Sequence, residues 1–350
     1  MELTGVTLTE LGWHPRLGEQ IDDSAAAGLV PMRVTGVHRD RVSALGEAGP
    51  AALALPSGLP AGDVAVGDWI LADAGAGRVA RLLERRSRIF RRAAGDASRE
   101  QLIVANVDTA FITTSCTREF NEARLERYLA LVHAGGVAPA FVLTKTDLCD
   151  DPAAYLDRLR AIAPAVPAVA LDARDAAAVR AALSAWCGTG QTVVFLGMSG
   201  VGKSTLVGAL TGRALATGAV REDDMRGRHT TTAREMHPLP GGGWLIDTPG
   251  MRELRLADMG EGIDETFADI VELAASCRFR DCSHGPEPGC AVQQAVRDGR
   301  LDEGRLRRWQ KLRDEDTRHS AAGHEARRRQ KAFARQIVQA KRAKKGRDGD

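Results

Sequence analysis

No apolar run in this chain approaches twenty residues, and its N-terminus carries Glu2 and Glu10 with no basic stretch ahead of an apolar one. The first absence excludes a membrane-spanning helix and the second a secretory signal, so a cytoplasmic protein without a membrane partner is expected. Aromatic residues make up only 4%, and seven lysines occur in 350 residues. Positive charge therefore rests on arginine, and 48 basic residues against 46 acidic leave the average almost neutral. The average hides a skew, because 326–350 holds ten Lys or Arg against two Asp. Internal repeats and long low-complexity tracts are absent too, and no heptad seam points to an obligate oligomer, so a monomer is expected. What remains is 44% hydrophobic, enough to bury two or three small cores.

The strongest positive signal is Gly197-Met198-Ser199-Gly200-Val201-Gly202-Lys203-Ser204, followed by Thr205. It has the form GxxxxGK[ST], which requires a buried strand before it and a helix after it. The apolar run 192–196 and the helical spacing of 205–210 supply both. Glycines let backbone N–H groups curl round phosphates, Lys203 neutralises the β and γ oxygens, and the Ser204 hydroxyl ligates Mg2+.

About fifty residues earlier stands Thr144-Lys145-Thr146-Asp147, after the apolar run 138–143. A carboxylate at Asp147 accepts from both N1–H and the exocyclic amine of guanine. Adenine offers no such pair and would leave a desolvated acceptor unpaired, which conflicts with an ATP-dependent kinase or ATPase. Most GTPases have Asn where Thr144 stands, so the amide that bridges base and phosphate loop is missing. Leu171-Asp172-Ala173, after 166–170, is a candidate for the short loop that backs the base. In the usual P-loop GTPase the base-reading motif follows the phosphate loop. Here it precedes it, so the parts are complete but circularly permuted.

Asp247-Thr248-Pro249-Gly250 follows the apolar run 243–246 and has the DxxG form, in which the aspartate holds Mg2+ through water and the glycine brings its N–H to the γ-phosphate. Between the phosphate loop and DxxG lies a switch candidate, 226–234, where Thr231 and Thr232 are candidates to complete the metal shell beside Ser204. Many GTPases orient the attacking water with a Gln just after DxxG. Met251 stands there and cannot hydrogen-bond water, so His229, beside the switch threonines, becomes the catalytic candidate. The permutation also leads 251–264 directly from DxxG toward the C-terminal region, a path by which loss of the γ-phosphate can move that region.

Cys277, Cys282, His284 and Cys290 fall within fourteen residues. Three thiolates and one imidazole are the usual ligand set of a closed, structural zinc site, whereas disulfides need an oxidising compartment to which nothing here points. Cys116, Cys149 and Cys187 are scattered and read as core or loop residues.

Four regions follow: a leader, 1–28, expected to be irregular; short strand-like runs at 29–95, read as an OB-fold barrel, with a two-sheet sandwich fragment left open by the spacing; alternating strands and helices at 96–260, read as a parallel sheet covered by helices; and 261–350, a metal knuckle with a helical, basic tail. The permuted TKTD, GMSGVGKS, GRHTTT and DTPG, an OB-like segment before them and C-x4-C-x-H-x5-C after them together resemble the ribosome small subunit-dependent GTPase A family, the bacterial RsgA/YjeQ group. The likeness runs from about Val30 to the end of the knuckle.

The resemblance implies an OB barrel that binds RNA, a permuted GTPase domain and a zinc domain. They dock with GTP bound on the small ribosomal subunit and its rRNA during late maturation; the subunit stimulates hydrolysis, and release follows. It also implies one structural Zn2+, Mg2+ with GTP, and catalysis by the histidine of the RHT motif, here His229. A zinc-containing RNA-binding assembly protein with a vestigial or purely regulatory nucleotide site would use the same barrel, knuckle and tail. Intact Lys203, Ser204, Asp247 and Asp147 weigh against it.

Overall fold

A computed structural model describes residues 5–21, 28–92, 100–212, 234–248, 259–318 and 320. The chain forms two compact units, Met1–Phe90 with Leu102–Glu253, and Arg91–Gln101 with Leu254–Asp350.

In the first unit the leader is part of the core. Its single helical turn α1 (Pro15–Gly18) starts with proline, which is pre-set for a helix N-terminus, and His14 Nδ1 accepts from the Arg16 amide at 3.3 Å. Leu11 and Leu17 are fully buried, and Trp13 meets Trp69 edge-on at 4.8 Å. An irregular backbone here is anchored by apolar side chains that the polar spacing around them had concealed.

Strands β1 (Val30–Val37), β2 (Arg41–Gly46), β3 (Gly49–Ala54), β4 (Trp69–Asp73) and β5 (Arg78–Leu82) close a barrel in the order β1-β2-β3-β5-β4. Full closure is the OB-like solution expected for five short strands, and it rules out the open sandwich fragment. Alternate residues point inward, so Met32, Val34, Val42, Ala44, Leu53, Ile70 and Val79 form one core. Burying each larger aliphatic stabilises the barrel by about 1.5–3 kcal/mol.

Strands β6 (Arg88–Arg92) and β7 (Glu100–Ala105) pair as a two-stranded sheet after the barrel. Arg33, buried in the barrel wall, donates to the Leu11 carbonyl at 2.5 Å and to the Asn106 carbonyl at 2.9 Å. Burial pulls its pKa down to about 10 against the attraction of Asp108, so the guanidinium stays charged while joining leader, barrel and the chain beyond β7. Fully buried Asp68 is neutralised by Arg85 at 2.6 Å. Removing one member of such a pair leaves a buried charge uncompensated and costs about 3–5 kcal/mol.

The larger sheet contains β8 (Thr109–Ser115), β9 (Ala138–Thr144), β10 (Ala168–Ala170), β11 (Thr192–Leu196), β12 (Glu235–Pro238) and β13 (Trp244–Asp247), in the order β10-β9-β8-β11-β13-β12. All neighbours are parallel except the edge pair β12 and β13. Every residue of β8 and β11 is buried, as central parallel strands covered on both faces must be. Helices α2 (Glu122–Ala134), α3 (Pro152–Ile162), α4 (Ala176–Leu183) and α5 (Lys203–Thr211) provide the cover. Phe111, Val193 and Phe195 of the sheet pack with Val179 and Leu183 of α4 and with Leu206 and Leu210 of α5. Trp244 Nε1 donates to the Glu10 carbonyl at 2.7 Å, binding the leader to this sheet as well.

The second unit contains α6 (Gly260–Thr266), α7 (Ala268–Ala274), α8 (Ala291–Arg297) and a further helix over 303–318. Ile263, Phe267, Ile270, Val292, Leu306 and Trp309 are buried among them. Arg305 covers the Phe267 ring at 4.8 Å while pairing with Asp269 at 2.8 Å. Among the described residues no helix is long and apolar enough to cross a membrane.

Candidate functional site

Three sequence motifs lie at the C-terminal ends of parallel strands of this sheet: TKTD from the last residue of β9, the phosphate loop after β11, and Asp247 ending β13. The sheet order reverses at β8, because β9 lies on one side of it and β11 on the other, and such a switch point opens the crevice where α/β sheets bind ligands. The permutation changes which strand comes first in the chain and leaves the spatial set intact.

The phosphate loop is fixed by what cannot fit. A Cβ on Gly197 would sit 2.4 Å from the Thr113 carbonyl oxygen, so only glycine lets the loop leave β11 against β8. Gly200 and Gly202 take positive φ of 83° and 97°, and α5 begins immediately afterwards at Lys203. Backbone N–H groups at that helix start form an anion cradle. Lys203 Nζ donates to the carbonyls of Gly197 at 2.7 Å and Met198 at 2.5 Å, so the loop holds its own lysine at its mouth.

The base-reading segment meets this loop. Thr144 is fully buried, and its Oγ1 donates to the Val201 carbonyl at 2.6 Å, with the Thr114 carbonyl also 3.0 Å away. The tie to the phosphate loop that the missing Asn was expected to leave unmade is therefore made by the threonine hydroxyl. Lys145 takes a left-handed conformation, φ 57°, which turns the chain off the strand and into the short turn carrying Asp147. A Cβ placed on Gly202 would be 3.6 Å from Thr144 Oγ1 and 3.8 Å from Ala173 Cβ. Phosphate loop, TKTD and the expected base-backing loop therefore meet at one point.

The base-backing loop is itself held. Leu171 N donates to the Leu143 carbonyl at 2.9 Å, and Asp175 caps α4 by accepting from Ala177 and Ala178 at 3.0 Å. Arg174, which the sequence reading did not single out, lies 2.8 Å from Asp147 Oδ2 and 2.7 Å from Asp172 Oδ2. No spacing rule announces that pairing.

Asp247 is aligned by the β11 and β13 register, Val194 opposite Ile246. Burial raises its carboxyl pKa above the ordinary value, opposed by the nearby His237 and, more weakly, by Lys203. His229, Thr231, Thr232, Gly250 and Met251 lie outside the described residues, as do 226–233 of the switch segment and all of the basic tail 326–350.

In the second unit the ligand atoms of Cys277, Cys282, His284 and Cys290 all lie within 4.8 Å of one another. Cys277 Sγ is 3.6 Å from His284 Nδ1 and 3.9 Å from Cys290 Sγ, and Cys290 Sγ is 3.7 Å from His284 Nδ1. A tetrahedron with Zn–S near 2.3 Å and Zn–N near 2.05 Å has edges of about 3.8 and 3.6 Å, so the donor set fits a closed four-coordinate metal. His284 reaches it from a left-handed backbone, φ 58°, with its carbonyl accepting from Gln293 Nε2 at 2.7 Å. Glu287 accepts from Cys282 Sγ at 2.9 Å, and this bond pushes the thiol up to about 12.

Comparison with known proteins agrees with this geometry. The family model described as RsgA GTPase matches residues 82–257. A Mesorhizobium japonicum protein named small ribosomal subunit biogenesis GTPase RsgA is 51% identical over 314 residues, 89% of this chain and 90% of the relative. A Vibrio parahaemolyticus protein named small ribosomal subunit biogenesis GTPase RsgA 2 is 44% identical over 95% of this chain and 92% of its own length. Among solved structures, YjeQ from Thermotoga maritima superposes with a TM-score of 0.60 at 23% identity, covering 81% of this chain and 97% of that one. YloQ, described as a circularly permuted GTPase, gives 0.59 at 23% identity over 86% and 99%. These two likenesses concern the fold.

Proposed function

This chain belongs to the RsgA GTPase family, and on that premise we propose that it hydrolyses GTP to GDP and phosphate during late maturation of the small ribosomal subunit. The observation that supports this most is the meeting of phosphate loop, TKTD and base-backing loop at Gly202. A vestigial site has no reason to keep Gly197 against the Thr113 carbonyl or Lys203 at the loop mouth.

In this reading Asp147 reads the guanine edge, with Thr144, Lys145 and Thr146 holding it in place. Residues 197–205 surround the phosphates, and Asp247 and Gly250 face the γ-phosphate. Ser204 with Thr231 and Thr232 would hold Mg2+, which when bound neutralises charge on the β and γ oxygens. Lys203 spreads the remaining negative charge. His229 orients the attacking water in place of the glutamine that Met251 cannot replace, and does so when the protein is docked on the subunit. Basal turnover is slow for that reason.

The 29–95 barrel and the 261–350 region make contact with rRNA, and Cys277, Cys282, His284 and Cys290 hold one structural Zn2+ that fixes the knuckle. The protein acts as a cytoplasmic monomer, binds in the GTP state and leaves after hydrolysis. Comparing GTP and ATP turnover with and without purified small subunits tests the proposal. Slow GTP turnover that the subunits accelerate is expected; equal use of ATP, or no response to subunits, overturns it.

A further inference from the structure

We infer that Arg174 is a positioning residue for guanine: it couples the base-reading carboxylate of Asp147 to Asp172 in the base-backing loop. The inference rests on Asp147 reading the base. Arg174 bonds to Asp172 by three routes. Its backbone N–H donates to Oδ1 at 2.9 Å, Nε lies 3.0 Å from Oδ1, and Nη2 lies 2.7 Å from Oδ2. The same Nη2 stands 2.8 Å from Asp147 Oδ2.

Asp172 is in turn fixed, because its carbonyl accepts from the Asp175 N–H at 3.1 Å and Asp175 caps α4. Hydrogen bonds thus run from the start of α4 to Arg174, and an ion pair carries the chain on to the carboxylate that must face the base. Asp147 is the middle residue of a single 3-10 turn, Thr146–Leu148, and its side chain is about a quarter exposed, so packing leaves its carboxylate room to turn. Without a partner, its carboxylate would rotate freely and lose entropy when guanine binds. The guanidinium charge beside Oδ2 holds the carboxylate on that side by ion pairing and leaves carboxylate lone pairs for N1–H and the exocyclic amine. Lysine, with a point charge on a flexible stem, cannot span both aspartates in the same plane.

Arg174 is two-thirds exposed, so the pair is screened and its effect is modest. Arg174→Ala is expected to weaken GDP binding roughly three- to tenfold, chiefly through faster dissociation, and Arg174→Lys to recover only part of it. The decisive comparison repeats Arg174→Ala in an Asp147→Asn background with xanthosine diphosphate as the probe. There the charged partner is gone, and the effect should shrink to less than about twofold. An unchanged GDP affinity in Arg174→Ala, or an equal loss in both backgrounds, overturns the positioning role; the second outcome would assign Arg174 to loop folding alone. Unchanged GDP affinity in Asp147→Asn by itself overturns the base-reading assignment, and the proposal with it, so the two failures are told apart.

Discussion

Thr144 Oγ1 lies 2.6 Å from the carbonyl oxygen of Val201, a residue of the phosphate loop 57 positions later in the chain. The bond joins TKTD to the GxxxxGKS loop, so the segments proposed to read the base and to cradle the phosphates are tied directly to each other. Threonine thereby performs the loop-facing part of what asparagine does in most GTPases. Thr144→Val, nearly equal in volume, would leave the buried Val201 acceptor unpaired. It should lower unfolding free energy by about 1–2 kcal/mol and speed GDP release. A denaturant midpoint and a release rate equal to the parent's would show that the bond carries no weight.

Gly197→Ala makes a sharper steric prediction. Its Cβ would lie 2.4 Å from the Thr113 carbonyl, and the obstacle is strand backbone, which cannot swing aside. Nucleotide binding should be lost together with about 2 kcal/mol or more of stability. Wild-type GDP affinity in this variant, measured by fluorescent-nucleotide titration, would mean the loop leaves β11 by another path.

The motifs were legible because each is local: strand, glycine-rich turn and helix follow one another within about fifteen residues, and their flanks agree. Four barrel strands could be read as short runs separated by glycine and proline. The fifth, Gly49–Ala54, contains only glycine, proline, alanine and one leucine, and it is a strand because closure between β2 and β5 requires one there. Long-range partners were not legible. Nothing local in Thr144 announces Val201, nothing in Arg174 announces Asp147, and the leader was read as irregular because Leu11 and Leu17 follow no periodic pattern.

The knuckle should bind one zinc per chain. Loss of one ligand, as in Cys282→Ser, should loosen the second unit, because the four donors within 4.8 Å could hold a metal, and metal binding is coupled to local folding. Basal GTP turnover should largely survive, since the nucleotide motifs belong to the first unit. Elemental analysis of anaerobically purified protein that finds no zinc would contradict the assignment directly.

His229 carries the catalytic prediction. His229→Ala should bind GTP and the small subunit almost normally yet lose about ten- to a thousandfold of the subunit-stimulated rate. It should also stay on the subunit longer, because hydrolysis is the proposed release step. Full stimulated turnover would leave His229 as a loop or RNA contact.

The claim on which all of this depends is that one guanine site, assembled from permuted motifs, drives the subunit-coupled reaction. Asp147→Asn tests it in a single assay of small-subunit-stimulated turnover with GTP and with xanthosine triphosphate. An amide presents a donor where the carboxylate accepted, which suits the altered edge of xanthine, so stimulated GTP turnover should fall by about a hundredfold or more and xanthosine triphosphate turnover should rise in its place. Unchanged GTP turnover with no gain on xanthosine triphosphate would contradict the account.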